Sequence, residues 1–119
     1  MPNIPAEILA VVDGDTLRVR AMPWRNWSVE TLVRVNGIDT PEKGARAKNP
    51  REALLGLKAT EFARAQFEVG SIIRLADMGD DKYGRCLARV TRQDGACWAT
   101  LMIEAGLARP YTGGAKSSW

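Results

Sequence analysis

The fold is decided by residues 7–21, EILAVVDGDTLRVRA, which predict two β-strands joined by a tight turn. The first half is a largely apolar run, and the second half, from Thr16 to Ala21, alternates apolar and basic side chains as a half-exposed strand does. Asp13-Gly14 between them is a hairpin signal, since glycine adopts positive φ without steric cost. The sequence therefore predicts that a β-sheet begins near the start of the chain.

Further strands are predicted on both sides of a helix. A long hairpin loop over 22–28 leads to a third strand from Glu30 to Asp39, which ends at Thr40-Pro41 because proline cannot donate to a ladder. A second hairpin joins residues 71–77 to residues 85–92. These strands account for most of the chain.

The main helix has clear start signals. Asn49 is the predicted N-cap, Pro50 suits the first helical position, and Glu52 falls where a capping box places its acid. Gly70 is the candidate C-cap. The predicted apolar stripe of this helix consists of Leu54, Leu55, Leu57, Ala59 and Phe62.

A short second helix over 98–105 completes the pattern. Three strands, a helix, two strands and a helix predict an α+β, mainly β fold. It is a five-stranded barrel of the OB type, with a long helix between strands 3 and 4 and a short C-terminal helix. A chain of 119 residues is expected to form one domain over 1–119, with 112–119 as a short tail.

Composition excludes several kinds of chemistry. Histidine is absent, which excludes a histidine general base, histidine-ligated zinc and Ser-His hydrolysis. Cys86 and Cys97 are too few for a structural zinc site, and either a disulfide or two apolar fillers remains open for them. No signal peptide is recognisable, which favours the cytoplasm over a mature secreted form and leaves the compartment open.

Charge favours a polyanionic partner only weakly, with a net charge of +3 and a pI of about 9.1. Its distribution is more informative, because a run of four cations lies between Glu42 and Glu52 without an intervening acid. These cations are Lys43, Arg46, Lys48 and Arg51. A solvated surface loop and a substrate-facing segment both explain the run.

Two acidic clusters and two arginines carry the predicted chemistry; the first cluster is residues 13–16, DGDT, and the second is residues 34–42, RVNGIDTPE. The carboxylates of Asp15 and Asp39 can bind a hard cation, and Glu42 remains to act as a general base. Arg34 and Arg85 offer two guanidinium forks for one phosphate. This is what metal-assisted cleavage of a phosphodiester requires.

Some neighbouring residues have structural interpretations. Asp13, before Gly14, is typical of turn chemistry. Arg34 and Asp39 are five positions apart, so a regular strand would place them on opposite faces. We therefore expect a β-bulge at Gly37. Trp98 is expected to seal the core, whereas Trp24 and Trp27 are possible substrate contacts.

Four motifs in order resemble the staphylococcal (thermonuclease-type) nuclease domain. They are VVDGDT (11–16), VRVNGIDTPE (33–42), DKYGR (81–85) and GLARPY (106–111). The resemblance covers nearly the whole chain, and it implies an OB-fold, calcium-dependent phosphodiesterase that acts on DNA and RNA and leaves 3′-phosphates.

The resemblance also implies roles for individual residues. Asp15 and Asp39 correspond to calcium carboxylates, with the Thr40 carbonyl as a further ligand. Glu42 corresponds to the residue that activates water, and Arg34 and Arg85 to the phosphate arginines. Three further positions, Lys82, Tyr83 and Tyr111, resemble substrate contacts. Only eight residues follow Tyr111, where longer relatives continue into a third helix and carry a second tyrosine.

The predicted function is hydrolysis of DNA and RNA by a monomer with low sequence specificity and a preference for single strands. No membrane partner is expected. The alternatives are an OB domain that binds nucleic acid or protein without catalysis, and a calcium-tuned regulatory domain. All five active-site positions are filled, which favours the enzyme.

Overall fold

The barrel and its helices are defined by a computed structural model that describes residues 3–112 and 119. The barrel strands are β1 (Ile4–Asp13), β2 (Thr16–Trp24), β3 (Trp27–Val35), β5 (Ile72–Asp80) and β6 (Cys86–Arg92). Two short strands, β4 (Ile38–Asp39) and β7 (Arg109–Pro110), pair with each other outside the barrel. The helices are α1 (Pro50–Gln66) and α2 (Trp98–Glu104), preceded by a 3-10 turn at Gly44–Arg46.

The five long strands form a closed barrel in the order β1-β2-β3-β6-β5. Its neighbouring strands are antiparallel except for β3 and β6, which run parallel and close the barrel through a short pairing of Val33–Val35 with Cys86–Ala88. The long helix lies between the third and fourth barrel strands along the chain. This arrangement confirms the predicted mainly β, OB-type fold.

Trp98 seals one end of the core, as expected. Its ring is fully buried and stacks on Phe67 with ring centroids 4.4 Å apart. The indole Nε1 donates to the Gly14 carbonyl at 2.8 Å, which satisfies the polar end of the ring. Both cysteines are half-buried free thiols, so no disulfide joins them.

The beginning of α1 is as predicted, its end is not, and its buried face matches the prediction only in part, with Ala59 buried and Phe62 packed against the core. Asn49 accepts a hydrogen bond from the Glu52 N–H at 2.8 Å. The C-cap is Phe67, and Gly70 lies in the following turn at φ +90°, where its N–H donates to Ile8. Buried Phe67 packs under Trp98, and the helix ends there.

The buried face of α1 consists of Glu52, Gly56, Ala59, Thr60 and Ala63, and most of these side chains are small. Leu54 and Leu57, predicted in the apolar stripe, are about half exposed. Small side chains let the helix lie close to the barrel, which turns the larger leucines outward. Among the described residues, no helix is both long and apolar enough to cross a bilayer.

The predicted long loop over 22–28 is wrong. The second strand continues to Trp24, the third begins at Trp27, and these two tryptophans pair across the ladder. Only Arg25 and Asn26 form the turn, with Asn26 at φ 63°, a conformation that asparagine tolerates. Pro23 is accommodated because the ladder shifts register between Ala21 and Trp24.

The third strand is also shorter than predicted. It ends at Val35, and Asn36-Gly37 forms a turn before Ile38–Asp39 pairs with Arg109–Pro110. The expected bulge at Gly37 is therefore wrong, since Gly37 at φ +86° reverses the chain between two different sheets. Asp39 lies outside the barrel ladder, so strand periodicity does not decide where its side chain points.

Gly14 lies in the turn between β1 and β2 for a different reason from the one expected. Its φ is not positive, so conformational freedom is not the reason for glycine here. Glycine is needed because neighbouring residues lie very close to its Cα. A Cβ placed there would lie 2.9 Å from the Cβ of Ala59 and 3.3 Å from atoms of Met102 and Thr40. The missing side chain lets both helices and Thr40 pack on this turn.

We expect Gly14→Ala to lower the free energy of unfolding by about 1–3 kcal/mol, because a methyl group must be forced into a packed contact. Urea denaturation measures this change. Gly79→Ala is the matched control, since a Cβ at Gly79 would meet nothing within 4 Å. Equal stability of the two variants would contradict the packing role of Gly14.

Candidate active site

A cleft of about 540 Å³ opens between the turn after β3 and the turn after β5. Five residues predicted from the sequence line it: Arg34, Lys82, Tyr83, Arg85 and Tyr111. Two acids, Asp80 and Asp81, also lie in its wall. The structure thus brings both predicted phosphate arginines and all three predicted substrate contacts to one cavity.

Arg34 forms the buried side of this cleft. It lies near the end of β3, paired with Thr16 on β2. Its Nη1 donates to the Val35 carbonyl at 2.8 Å, and its Nη2 donates to the Ile38 carbonyl at 3.0 Å. Its Nη1 also lies 3.4 Å from an Asp15 carboxylate oxygen. The guanidinium is therefore fixed between the β3–β4 turn and the first acidic cluster.

Arg85 lies on the opposite side, at the turn that precedes β6. The Asp81 carboxylate accepts hydrogen bonds from the Tyr83 and Arg85 backbone N–H groups, both at 2.8 Å, and from the Arg85 Nε at 2.6 Å. Within the described residues, no protein acceptor holds the two Nη nitrogens of Arg85. Asp81 thus orients this arginine and leaves donors available to a ligand.

Tyr83 is an exposed part of the cleft wall. The Lys82 ammonium lies 5.2 Å and the Arg85 guanidinium carbon 5.6 Å from its ring centroid. A cation near an aromatic face is a common pairing in proteins. The turn therefore presents one ring and two cations to the same space.

Tyr111 reaches the cleft through the short sheet outside the barrel. It follows β7, and its backbone N–H donates to the Gly37 carbonyl at 2.8 Å. The predicted tail over 112–119 falls mostly outside the described residues. Of its described part, Thr112 lines the cleft, and the Trp119 ring lies 3.9 Å below the Arg109 guanidinium.

Asp15 lies in the β1–β2 turn, only 8% exposed. The Thr16 hydroxyl donates to its carboxylate at 2.9 Å. Burial alone would raise the pKa of Asp15. Hydrogen bonding from Asp13, the positive charge of Arg34 and the Thr16 and Thr40 side chains outweigh burial and hold that pKa below its usual range. Asp15 therefore stays ionised and contacts the second acidic cluster through Thr40.

Asp13 has the opposite electrostatic state. Its carboxylate accepts from the Asp15 N–H at 3.1 Å, which confirms the predicted turn role. Burial, hydrogen bonding to Asp15 and the Asp15 charge raise the pKa of Asp13 to about 7, and the Glu42 charge adds to this. The Asp13 carboxyl group is thus close enough to Asp15 and to Glu42 for both of their charges to act on it.

The donor chemistry suits a hard cation. Asp39 and Thr40 are buried, as is Asp15, and Asp39 lies directly before Thr40 on β4. In residues 3–112 and 119, no three Asp, Glu, Cys or His side chains form a group that could hold a metal ion. Carboxylate and carbonyl oxygens suit calcium better than zinc.

Glu42 lies on a loop that two residues of α1 hold in place. Glu52 is 5% exposed, and its carboxylate accepts from the Glu42 N–H at 3.1 Å and from the Lys48 N–H at 2.9 Å. A Cβ on Gly56 would overlap the Glu42 carbonyl. The sequence indicated only a capping role for Glu52, because its contact with Glu42 depends on how the loop folds back.

The basic run beyond Glu42 lies mostly on the surface. Lys43 donates to the Val12 carbonyl at 2.7 Å and ties the loop to β1. The other members, Arg46, Lys48 and Arg51, are exposed. None of the four lines the described cleft.

The fold and the cleft define a nuclease-like barrel with paired arginines beside a buried acidic cluster. The family model described as staphylococcal nuclease homologue matches residues 32–118. This is well over half of the chain, so the protein belongs to the staphylococcal nuclease homologue family. The match begins after β2 and leaves Asp13 to Thr16 outside it. A comparison with curated proteins gave no match.

We expect Glu52→Gln to loosen the Glu42 loop, because one of the two N–H donors would then face an amide NH₂ group. Amide hydrogen exchange at Glu42 and Lys48 should accelerate, with a loss of about 1–3 kcal/mol in the free energy of unfolding. Glu61→Gln, an exposed position on the same helix, is the control. Unchanged protection at both amides would show that Glu52 does not hold the loop.

Proposed function

We propose that this protein is a calcium-dependent endonuclease that hydrolyses DNA and RNA with low sequence specificity. One observation carries the proposal: Arg34 lines the cleft and also pairs with buried Asp15. A phosphate in the cleft would therefore lie beside the acidic cluster. Family membership supports nucleic acid as the substrate class.

Calcium would be held by Asp15, Asp39 and the Thr40 carbonyl. When bound, the ion supplies Lewis-acid polarisation of the phosphate and lowers the pKa of a bound water. The ionised state of Asp15 supports its role as a ligand, since a carboxylate must be deprotonated to bind. Asp13 is a neighbour in this proposal and not a ligand.

Glu42 would act as the general base. It takes a proton from the attacking water, whose oxygen forms a bond to phosphorus while the bond to the 5′ oxygen breaks. The 5′ oxygen leaves with the bonding electron pair and is protonated, so the products carry a 3′-phosphate and a 5′-hydroxyl. Glu52 and Gly56 hold the loop that presents Glu42.

Arg34 and Arg85 would stabilise the charge that develops on the phosphoryl oxygens. Arg34 is fixed by two backbone carbonyls and Arg85 by Asp81, so neither needs to be ordered during the reaction. Preorganised donors of this kind act more strongly than mobile ones because their orientation does not change in the transition state.

Single strands should be preferred. Tyr83 is 73% exposed beside the cleft, and a base that is already unpaired can stack on such a ring without the cost of leaving a duplex. Lys82 and Tyr111 would contact the same strand. A monomer suffices, because the proposed groups all belong to one chain. The proposal favours a cytoplasmic protein over a mature secreted one.

One observation favours the alternative, a nucleic-acid-binding module without catalysis. Protein acceptors already engage Arg34 through both Nη nitrogens and Arg85 through Nε, so ligand contacts must use the remaining N–H directions. Binding could then occur without the alignment that cleavage requires. An assay of strand breakage separates the two functions.

Wild-type protein should degrade single-stranded DNA in calcium and stop when a chelator is added. End-group analysis should find 3′-phosphates, and a matched duplex should be cleaved more slowly. The measurement is fragment length on a denaturing gel. Retention of intact DNA in calcium would select the binding module instead.

Three substitutions test the proposed roles. Glu42→Gln should lower the cleavage rate by roughly 10²–10⁴-fold if Glu42 is a general base. Arg34→Ala and Arg85→Ala should each lower it by about 10²–10³-fold if they stabilise transition-state charge. Arg74→Ala, which removes an exposed arginine on β5, is the matched control and should leave the rate unchanged. Near-wild-type rates in all three variants would refute the mechanism.

A further inference from the structure

The tip of the β2–β3 hairpin extends past the rest of the barrel. β1 pairs with β2 only as far as Ala21, and beyond it β2 and β3 pair only with each other. Trp24 and Trp27 lie opposite one another there and are joined by Arg25 and Asn26. We call residues 24–27 the aromatic tip.

Both indoles of the aromatic tip are open to solvent. Trp24 is 71% and Trp27 66% exposed, and within the described part of the chain neither ring has a ring contact. Residues directly opposite in an antiparallel pair project from the same face, so the two indoles lie side by side. Two large apolar rings exposed together indicate a binding surface.

Charge decides what kind of ligand fits this surface. The two strands of the hairpin and their turn contain one acid, Glu30, and four arginines: Arg18, Arg20, Arg25 and Arg34. Arg20 pairs with Glu7, whereas Arg18 and Arg25 are exposed without an ion pair among the described residues. Aromatic faces interleaved with arginine are the combination that binds single-stranded nucleic acid.

We propose that the aromatic tip is an auxiliary binding site for single-stranded nucleic acid, on which Trp24 and Trp27 stack bases while Arg25 contacts the backbone. The inference deepens the proposed function, because it rests on a nucleic-acid substrate and adds a second point of attachment. It predicts that long strands bind better than short ones.

The distance along the hairpin sets the strand length. Trp24 lies eight residues from Thr16, which pairs with Arg34, so the tip is about 26 Å from the cleft at ~3.3 Å per residue. A stacked strand needs about eight nucleotides to span this distance at ~3.4 Å each. A tetranucleotide therefore reaches the cleft or the tip but not both.

The test is binding without cleavage. Fluorescence anisotropy in a chelator compares fluorescein-labelled dT20 and dT4 on the wild type and on Trp24→Ala/Trp27→Ala. The double variant should bind dT20 about 10-fold or more weakly, because stacking contributes strongly per base. Trp24→Phe/Trp27→Phe should retain most of the affinity, since phenylalanine also stacks.

Leu54→Ala/Leu57→Ala is the matched control, because it removes two exposed apolar side chains from α1. It should leave dT20 affinity unchanged. Unchanged dT20 binding by the tryptophan double variant would overturn the proposal. The proposal would also be overturned if the tryptophan double variant lost affinity for anionic lipid vesicles but not for dT20. That result would show that the tip binds membrane surfaces.

The two proposals fail separately. If wild type binds dT20 through the tip but does not cleave it in calcium, the nuclease proposal fails and the auxiliary site stands. If wild type cleaves and the tryptophan double variant binds dT20 equally well, the nuclease proposal stands and the auxiliary site fails.

Discussion

The ion pair between Arg34 and Asp15 joins the parts of this molecule that the sequence keeps apart. Both side chains are largely buried, and a buried charge is tolerated only when its partner and its hydrogen bonds are in place. Arg34 belongs to a barrel strand and the cleft wall, whereas Asp15 belongs to a turn that contacts Thr40. The pair also helps to keep Asp15 ionised beside Asp13, whose pKa is raised to about 7 by burial and by its contact with Asp15.

Features that depend on neighbours in the chain were predictable from the sequence. The N-terminus of α1 is one, since Asn49, Pro50 and Glu52 act through bonds within one helical turn. The turn at Asp81–Arg85 is another, because the Asp81 side chain accepts from the backbone N–H groups of Tyr83 and Arg85 in the same turn. Features set by packing across the fold were not predictable. The outward leucines of α1 and the turn at Gly37 depend on surfaces that meet only after the barrel closes.

The candidate site also contains some features that were predictable from the sequence and others that were not. Residue types and motif order were enough to select the two arginines, the lysine and the two tyrosines that line the cleft, although their chemical roles stay predictions. The supporting residues were missed. Gly14 was assigned to turn conformation and Glu52 to capping, yet Gly14 permits close packing and Glu52 fixes the Glu42 loop. Both depend on atoms distant in sequence, which local pattern does not reveal.

The short parallel pairing that closes the barrel has a consequence for how the cleft arises during folding. Arg34 lies within this β3–β6 pairing, opposite Leu87. Arg85 is the residue directly before Cys86, where β6 and the pairing begin. The two guanidinium groups are therefore brought together by a strand contact between residues far apart along the chain, whose loop-closure cost must be met before the cleft exists. A chain in which every hairpin has formed but β3 and β6 have not paired would have no site that binds an anion through both arginines. An anion bound by both arginines would in turn stabilise the closed barrel, because it binds only when the barrel is closed.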